Sequence, residues 1–67
     1  MNIQVNGRSI EFPKNEATIA ELLESYHIQK KISVVEHNKE IVKKTDYEHT
    51  KLADGDHLEI VHFVGGG

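Results

Sequence analysis

The chain has 67 residues, so we expect one domain near the lower size limit for a self-sufficient hydrophobic core. It contains no cysteine, which excludes disulfides, zinc–thiolate sites and thiol nucleophiles. Eleven acidic and eight basic side chains give a net charge of −3, and the lysines form no cluster, so binding to nucleic acid is not expected.

The first twelve residues predict a β-hairpin. Apolar and polar residues alternate on both sides of Asn6-Gly7, the apolar ones being Ile3, Val5, Ile10 and Phe12. Asn-Gly favours the positive φ angles of a two-residue hairpin turn. Pro13 is expected to end the second strand, because it has no N–H to donate to a neighbouring strand.

An amphipathic helix follows the hairpin. Thr18 is a good N-cap, and Glu21 three residues later completes the pattern of a capping box. Helical spacing places four apolar side chains on one face, namely Ile19, Leu22, Leu23 and Tyr26. We expect the helix to cover one face of a sheet, in a right-handed crossover that sets adjacent strands parallel.

A second hairpin is predicted after the helix. Its strands are the β-branched runs Ile32–Val35 and Ile41–Val42, on either side of a polar "EHNKE" turn. The segment "TDYEHT" predicts one helical turn, since Thr45 and Glu48 repeat the capping-box spacing. Leu52 is then expected to return an apolar side chain to the core.

The final strand, "HLEIVHFV", follows a turn at "DGD" and has two apolar faces. Leu58 and Ile60 are expected to lie under the helix. Val61 and Phe63 belong to the opposite face, where one covering helix leaves the sheet open, and Val35 is expected to join them. These side chains predict a docking surface, although small proteins also expose single apolar residues without such a role.

The predicted order β-β-α-β-β-turn-β indicates an α+β domain with a mixed five-stranded sheet and one covering helix. We expect this domain to occupy residues 1–64. Residues 65–67 are all glycine, and they are expected to form a flexible C-terminal tail.

Catalytic and metal-binding patterns are not found in the sequence. Ser9, Ser25 and Ser33 have no recognisable nucleophile setting and are taken as structural. The five histidines are scattered, and the odd separation of His57 and His62 places them on opposite faces of one strand, so no metal site is expected. No glycine-rich loop lies between a strand and a helix, so a nucleotide would have to be bound by another protein.

The glycine tail offers one reactive group, the α-carboxylate of Gly67. A thread without Cβ atoms fits a narrow channel in a partner. A carboxylate is a poor electrophile, but adenylation at a partner's site would activate it, and a sulfur nucleophile could then displace AMP and leave a thiocarboxylate. The alternative is a frayed chain end without function.

The strand order, the "NG" hairpin, the approach "DGDHLEIV" and above all "HFVGGG" together resemble the ThiS family, the ubiquitin-like β-grasp sulfur carriers of thiamine biosynthesis. The resemblance spans essentially the whole chain. The terminal Gly-Gly of the family corresponds to Gly66 and Gly67, and Gly65 is an additional glycine that suits a flexible tether.

The resemblance implies a carrier, not an enzyme, that binds no cofactor and is monomeric when free. It implies that a ThiF-like enzyme uses MgATP to adenylate the Gly67 carboxylate, that a desulfurase relay supplies sulfur, and that a ThiG-like thiazole synthase accepts it. Partners would dock on Val35, Val61, Phe63 and Val64. No secretion signal or bilayer-length segment is recognised, so a cytoplasmic location is expected.

Two other functions fit the residues. The small subunit of molybdopterin synthase is also a β-grasp carrier with a terminal Gly-Gly, though it is usually longer. A ubiquitin-like interaction module would use the open sheet face and would need Val61 and Phe63 but not Gly67.

Overall fold

The computed structural model describes residues 1–63. In chain order they form β1 (Asn2–Val5), β2 (Arg8–Glu11), β3 (Ala17–Thr18), α1 (Ile19–Ser25), β4 (Ser33–His37), β5 (Glu40–Val42), β6 (Lys51–Leu52) and β7 (His57–His62). Two short 3-10 helices, Lys30–Ile32 and Lys44–Asp46, precede β4 and follow β5. The predicted domain end at residue 64 and the predicted tail 65–67 lie outside the described residues.

Five strands form a mixed sheet, as the sequence predicted, and they lie in the order β2-β1-β7-β4-β5. The pair β1–β7 is parallel, and the other three pairs are antiparallel. The prediction that the helix connects adjacent parallel strands is wrong, because β1 and β7 lie between β2 and β4. The parallel pair joins the first strand to the last, so β7 occupies the middle of the sheet.

The first hairpin forms as predicted. Asn6 and Gly7 have φ angles of 52° and 81°, so both adopt the left-handed conformation that a tight hairpin turn requires. β1 and β2 pair from Asn2↔Glu11 to Val5↔Arg8. The turn therefore fixes the register that places Ile3 in the core.

The predicted capping box begins α1. The Thr18 hydroxyl accepts from the Glu21 N–H at 3.2 Å, and the Glu21 carboxylate accepts from the Thr18 N–H at 2.9 Å. The backbone N–H of Thr18 is the main reason that the pKa of Glu21 is lowered, with a contribution from Lys14. The predicted apolar face is confirmed except at Tyr26, which is the C-cap residue and is 45% exposed.

The second hairpin is longer and its turn tighter than predicted. Glu36, His37 and Glu40 belong to its strands, and the turn is Asn38-Lys39, with φ angles of 51° and 72°. This turn has a lysine where the first turn has glycine. Because lysine rarely adopts a positive φ, the sequence did not indicate a tight turn here.

The segment after β5 departs from the predicted capping box. Its 3-10 helix begins after Lys43, and no side chain caps it, so the role predicted for Thr45 is wrong. Glu48 instead accepts from the Lys30 ammonium at 3.1 Å, which is the main reason that its pKa is lowered. The turn delivers Tyr47 into the core, 1% exposed, with its hydroxyl 3.4 Å from the Ser33 carbonyl.

The core lies between α1 and the sheet. A two-stranded ribbon of β3 and β6 closes one side of it through the pairs Ala17↔Leu52 and Thr18↔Lys51, so Leu52 is buried as expected. The buried apolar residues of the described chain are Ile3, Phe12, Ala17, Ile19, Leu22, Leu23, Val35, Tyr47, Leu52, Leu58 and Ile60. Within residues 1–63, no helix has both the length and the apolar character needed to span a membrane.

Candidate functional site

The strand that leads to the glycines is held on both sides. β7 pairs with β1 at Gln4↔His57 and Val5↔Leu58. It pairs with β4 at five positions, the last of which is Ser33↔His62. Beyond β7, the Phe63 N–H donates to the Ile32 carbonyl at 3.0 Å. The chain is therefore held in the sheet as far as Phe63, the last residue that the structure describes.

The beginning of β7 is fixed by side chains around Asp56. Its carboxylate lies 2.7 Å from His37 Nε2, and it accepts from the Ala53 N–H at 2.8 Å and the Asn38 amide at 3.2 Å. The side-chain oxygen Oδ1 of Asn38 accepts from the His57 N–H at 2.9 Å. We call these five residues the Asp56 network. Burial of Asp56 opposes ionisation, but the bonds from His37, Ala53 and Asn38 outweigh it and lower the pKa of Asp56.

The two faces of β7 differ as predicted. Leu58 and Ile60 lie under the helix and are 2% and 5% exposed. Val61 and Phe63 point away from the helix and are 57% and 62% exposed. Phe63 is separated from the glycines in sequence by Val64 alone, and an aromatic side chain that is this exposed is well placed to anchor an interface.

The placement of Val35 on the open face is wrong. Its side chain is fully buried, and its cross-strand neighbours are the core residue Ile60 and Val42. Val34 is the residue of β4 that faces outward, 40% exposed and directly opposite Val61. The run "ISVV" has no polar alternation to show which valine faces the core. A turn at Asn38-Lys39 pairs Val35 with Val42 and Glu36 with Ile41, and the pair of two apolar residues would have indicated the core face.

Four apolar side chains are therefore exposed on the side of the sheet away from α1. We call them the outer-face patch, and they are Val34, Ile41, Val61 and Phe63. Val34 and Val61 are cross-strand partners, and Ile41 lies opposite Glu36 on the edge strand β5. The β-branched run predicted a strand at Ile41, but nothing in the sequence assigned Ile41 to this face.

Two carboxylates adjoin the outer-face patch. Glu36 and Glu59 are cross-strand partners, two pairs along the ladder from Val34↔Val61 and therefore on the same face. Like charges directly opposite each other destabilise a sheet, so this pair has no structural benefit in the free domain. The face as a whole suits a partner surface that combines apolar side chains with Arg or Lys.

The remaining predicted site residues lie elsewhere. Val64 and Gly65–Gly67 fall outside the described residues, so their predicted roles stay predictions. His57 and His62 point to opposite faces of β7, and within residues 1–63 no three potential ligands (His, Cys, Asp or Glu) converge as a metal site.

Comparison with known proteins agrees with this architecture. A model described as the ThiS family matches residues 3–67. The chain belongs to the ThiS family. It is 49% identical over 65 residues to the sulfur carrier protein ThiS of Bacillus subtilis, covering 97% of this chain and 98% of that protein. It is also 39% identical over 67 residues to a thiazole synthase of Paramagnetospirillum magneticum, of whose length it spans 20%.

Solved structures give the same family. The crystal structure of the thiamine biosynthesis protein ThiS from Geobacter metallireducens matches with a TM-score of 0.85 and 32% identity over the whole of both chains. A solution structure of a thiamine biosynthesis protein from the same organism matches with a TM-score of 0.80 and 31% identity, covering all of this chain and 88% of that one.

These similarities confirm three predictions. The fold is the ubiquitin-like β-grasp, with a mixed five-stranded sheet and one helix. The chain is a sulfur carrier of thiamine biosynthesis, and it acts as a carrier and not as a catalyst. A carrier requires proteins that load it and unload it, so sulfur-transfer partners follow from this role.

Proposed function

We propose that this chain carries sulfur as a thiocarboxylate on Gly67. The observation that supports the proposal most directly is the family match, which continues past the described domain through "FVGGG" to residue 67. The central position of β7 is consistent with it, because a strand held on both sides delivers the residues that follow it from a fixed point.

The proposed chemistry has two steps. The Gly67 carboxylate attacks the α-phosphorus of ATP in a ThiF-like enzyme, with Mg²⁺ neutralising the phosphates, and pyrophosphate leaves. In the second step, the terminal sulfur of a persulfide on a desulfurase relay attacks the acyl adenylate, so that a C–S bond forms and the C–O bond to AMP breaks. A thiol of the relay then reduces the S–S bond of the resulting acyl disulfide, which releases the thiocarboxylate and leaves the relay as a disulfide. No residue of this chain is needed as acid or base, in keeping with its role as a carrier.

The proposed acceptor is a ThiG-like thiazole synthase. The identity to a segment of a thiazole synthase supports this choice over a molybdopterin-forming acceptor. The outer-face patch and the Glu36–Glu59 pair form the proposed docking surface for the adenylating enzyme. We further propose that the free carrier is monomeric and cytoplasmic.

The test is intact-mass analysis of the protein purified from its own cells, grown without thiamine and with ample sulfur. We expect a fraction of the protein to be heavier by the difference between one sulfur and one oxygen atom. The same spectrum tests whether Gly67 is the last residue of the mature protein, which the proposal requires. If only the unmodified mass appears under these conditions, the proposal is wrong.

A matched pair of variants separates carrier chemistry from docking. Extension by one alanine after Gly67 removes the reacting carboxylate from its position, and we expect it to abolish both the heavier species and growth without thiamine. Lys51→Ala, on the β3–β6 ribbon, is the control and is expected to leave both unchanged. Growth supported by the extended variant would show that the chain acts as an interaction module.

A further inference from the structure

The edge of β7 that faces β1 extends beyond β1. The pairing of the two strands ends at Val5↔Leu58, because the chain turns away at Asn6-Gly7. Successive residues of a strand direct their N–H and C=O groups to opposite edges. The Phe63 N–H is directed to the Ile32 carbonyl, so the N–H and C=O of His62 are directed to the β1 side.

Asn6 continues the ladder for one more residue after β1 has ended. Its backbone N–H donates to the Leu58 carbonyl at 2.9 Å. Its side-chain amide then takes the place of a strand, donating to the Ile60 carbonyl at 3.0 Å and accepting from the Ile60 N–H at 2.7 Å. His62 is the next residue in this row, and within residues 1–63 the sheet has no strand beside it on this side. We call the backbone groups of His62 on this side the His62 edge.

A groove lies beside the His62 edge, on the helix side of the sheet. Its volume is about 650 Å³, and Arg8, Ile10, Tyr26, Ile28, Ile60 and His62 contribute to its walls. Tyr26, at the end of α1, is 45% exposed and forms part of this apolar wall.

The groove is basic although the protein is acidic. Arg8 lines it, and none of the lining residues carries a carboxylate. In the part of the chain that the structure describes, Arg8 forms no ion pair. The groove therefore suits an apolar side chain with a carboxylate near it.

We propose that an extended segment of a partner protein adds to the sheet as a strand at the His62 edge. Its backbone pairs with the N–H and C=O of His62, and it places an apolar side chain in the groove with an acidic side chain against Arg8. This inference rests on the proposed function in one respect, since it takes the partner to be the enzyme that adenylates Gly67. The groove lies on the face of the sheet opposite the outer-face patch, so a partner that contacts both surfaces would hold β7 from its two faces.

Amide hydrogen exchange of the ¹⁵N-labelled full-length chain tests the pairing directly. In the free protein we expect slow exchange at Val61, whose N–H lies within the β4–β7 ladder, and fast exchange at His62. The purified ThiF-like enzyme is then added with MgATP. We expect exchange at His62 to slow at least about tenfold in the complex, as it does for an amide that enters a strand pair.

Two substitutions at His62 distinguish the contribution of its backbone N–H to binding from that of its side chain. His62→Pro removes the N–H, and the β4 ladder tolerates this because that N–H is directed away from β4. We expect His62→Pro to weaken binding of the adenylating enzyme about tenfold, and His62→Ala, which keeps the N–H, to weaken it no more than about threefold. Equal losses in the two variants would overturn the proposal.

Charge reversal tests the groove even if the proline variant does not fold. Arg8→Glu is expected to weaken binding about tenfold, with a loss that diminishes as salt is added. Lys51→Glu makes the same change of charge on the β3–β6 ribbon and is expected to change binding less than about twofold.

The same samples distinguish the inference from the proposed function. If pyrophosphate is released by adenylation of Gly67 while exchange at His62 stays fast in the complex, the strand addition is wrong and the carrier chemistry stands. If His62 becomes protected at high protein concentration without the enzyme, the occupant is a second copy of this chain, and the proposal of a partner segment is again wrong. If the enzyme and MgATP release no pyrophosphate with this chain, the proposed function itself fails.

Discussion

The two ends of β7 have different surroundings. At its beginning, the Asp56 network ties His57 to the second hairpin through the partly buried side chains of Asp56 and His37 and the exposed side chain of Asn38. At its end, Val61 and Phe63 are exposed on one face, and the His62 edge lies beside an open groove. Polar groups are satisfied internally where the strand must stay in place, and contact surface is left open near the residues that partners must reach.

The largest effect on stability is expected from a substitution in the Asp56 network, at the beginning of β7. Asp56→Ala removes the acceptor for three hydrogen bonds, one of them to a histidine, so we expect the free energy of unfolding to fall by about 2–4 kcal/mol. Urea denaturation measures this change. Asp46→Ala, at an exposed aspartate, is the control and is expected to stay within about 0.5 kcal/mol of the unmodified protein.

Val35 and Val34 allow the same substitution to be compared at a buried and at an exposed position of one strand. Val35→Ala leaves a cavity in the core, and we expect a loss of about 1.5–3 kcal/mol in the free energy of unfolding. Val34→Ala removes the same atoms from the outer-face patch, so a change within about 0.5 kcal/mol is expected. Equal losses would mean that the patch is packed in solution, and the docking surface would have to be sought elsewhere.

Where β7 ends, a substitution is expected to reduce partner binding and not stability. Phe63→Ala removes an exposed aromatic ring, so we expect affinity for the adenylating enzyme to fall about tenfold and the free energy of unfolding to change by less than about 0.5 kcal/mol. Isothermal titration and urea denaturation provide the two values. Phe63→Leu is the conservative control and should retain most of the affinity. A variant that loses stability as much as binding would place Phe63 in the core.

The smallest expected effect is a dependence on pH. The pKa of Asp56 is lowered in the folded protein, so its ionised form contributes stability above the unfolded value near 3.8, and that contribution is lost as the pH falls through the folded pKa. Urea denaturation of the unmodified protein and Asp56→Asn should therefore show a constant difference between about pH 5 and 7 that shrinks below about pH 4. A difference that does not shrink at all as the pH falls below about 4 would exclude a role for the charge.

Local patterns predicted the elements whose signals lie within a few residues. Asn6-Gly7 identified the first turn, the Thr18–Glu21 spacing identified the capping box, and alternation in the last strand separated Ile60 from Val61. Each of these follows from geometry that the neighbouring residues determine.

Features that depend on distant residues were not predicted. The parallel β1–β7 pair joins the two ends of the chain, and the burial of Tyr47 depends on a turn whose shape no local motif indicates. The orientation of Val35 depends on a turn at Asn38-Lys39 that lacks glycine. Asn6 was expected only as a turn residue, because nothing in the sequence shows that its amide bonds to Ile60.

The position of β7 in the sheet also has a mechanical consequence. The hydrogen bonds on its two sides run across the strand, so a pull on the chain after Phe63 would load them together in shear and not open them one at a time. Such an arrangement resists traction along the strand axis. An enzyme that draws the terminal peptide into a narrow tunnel would extend that peptide before it unravelled the domain behind it.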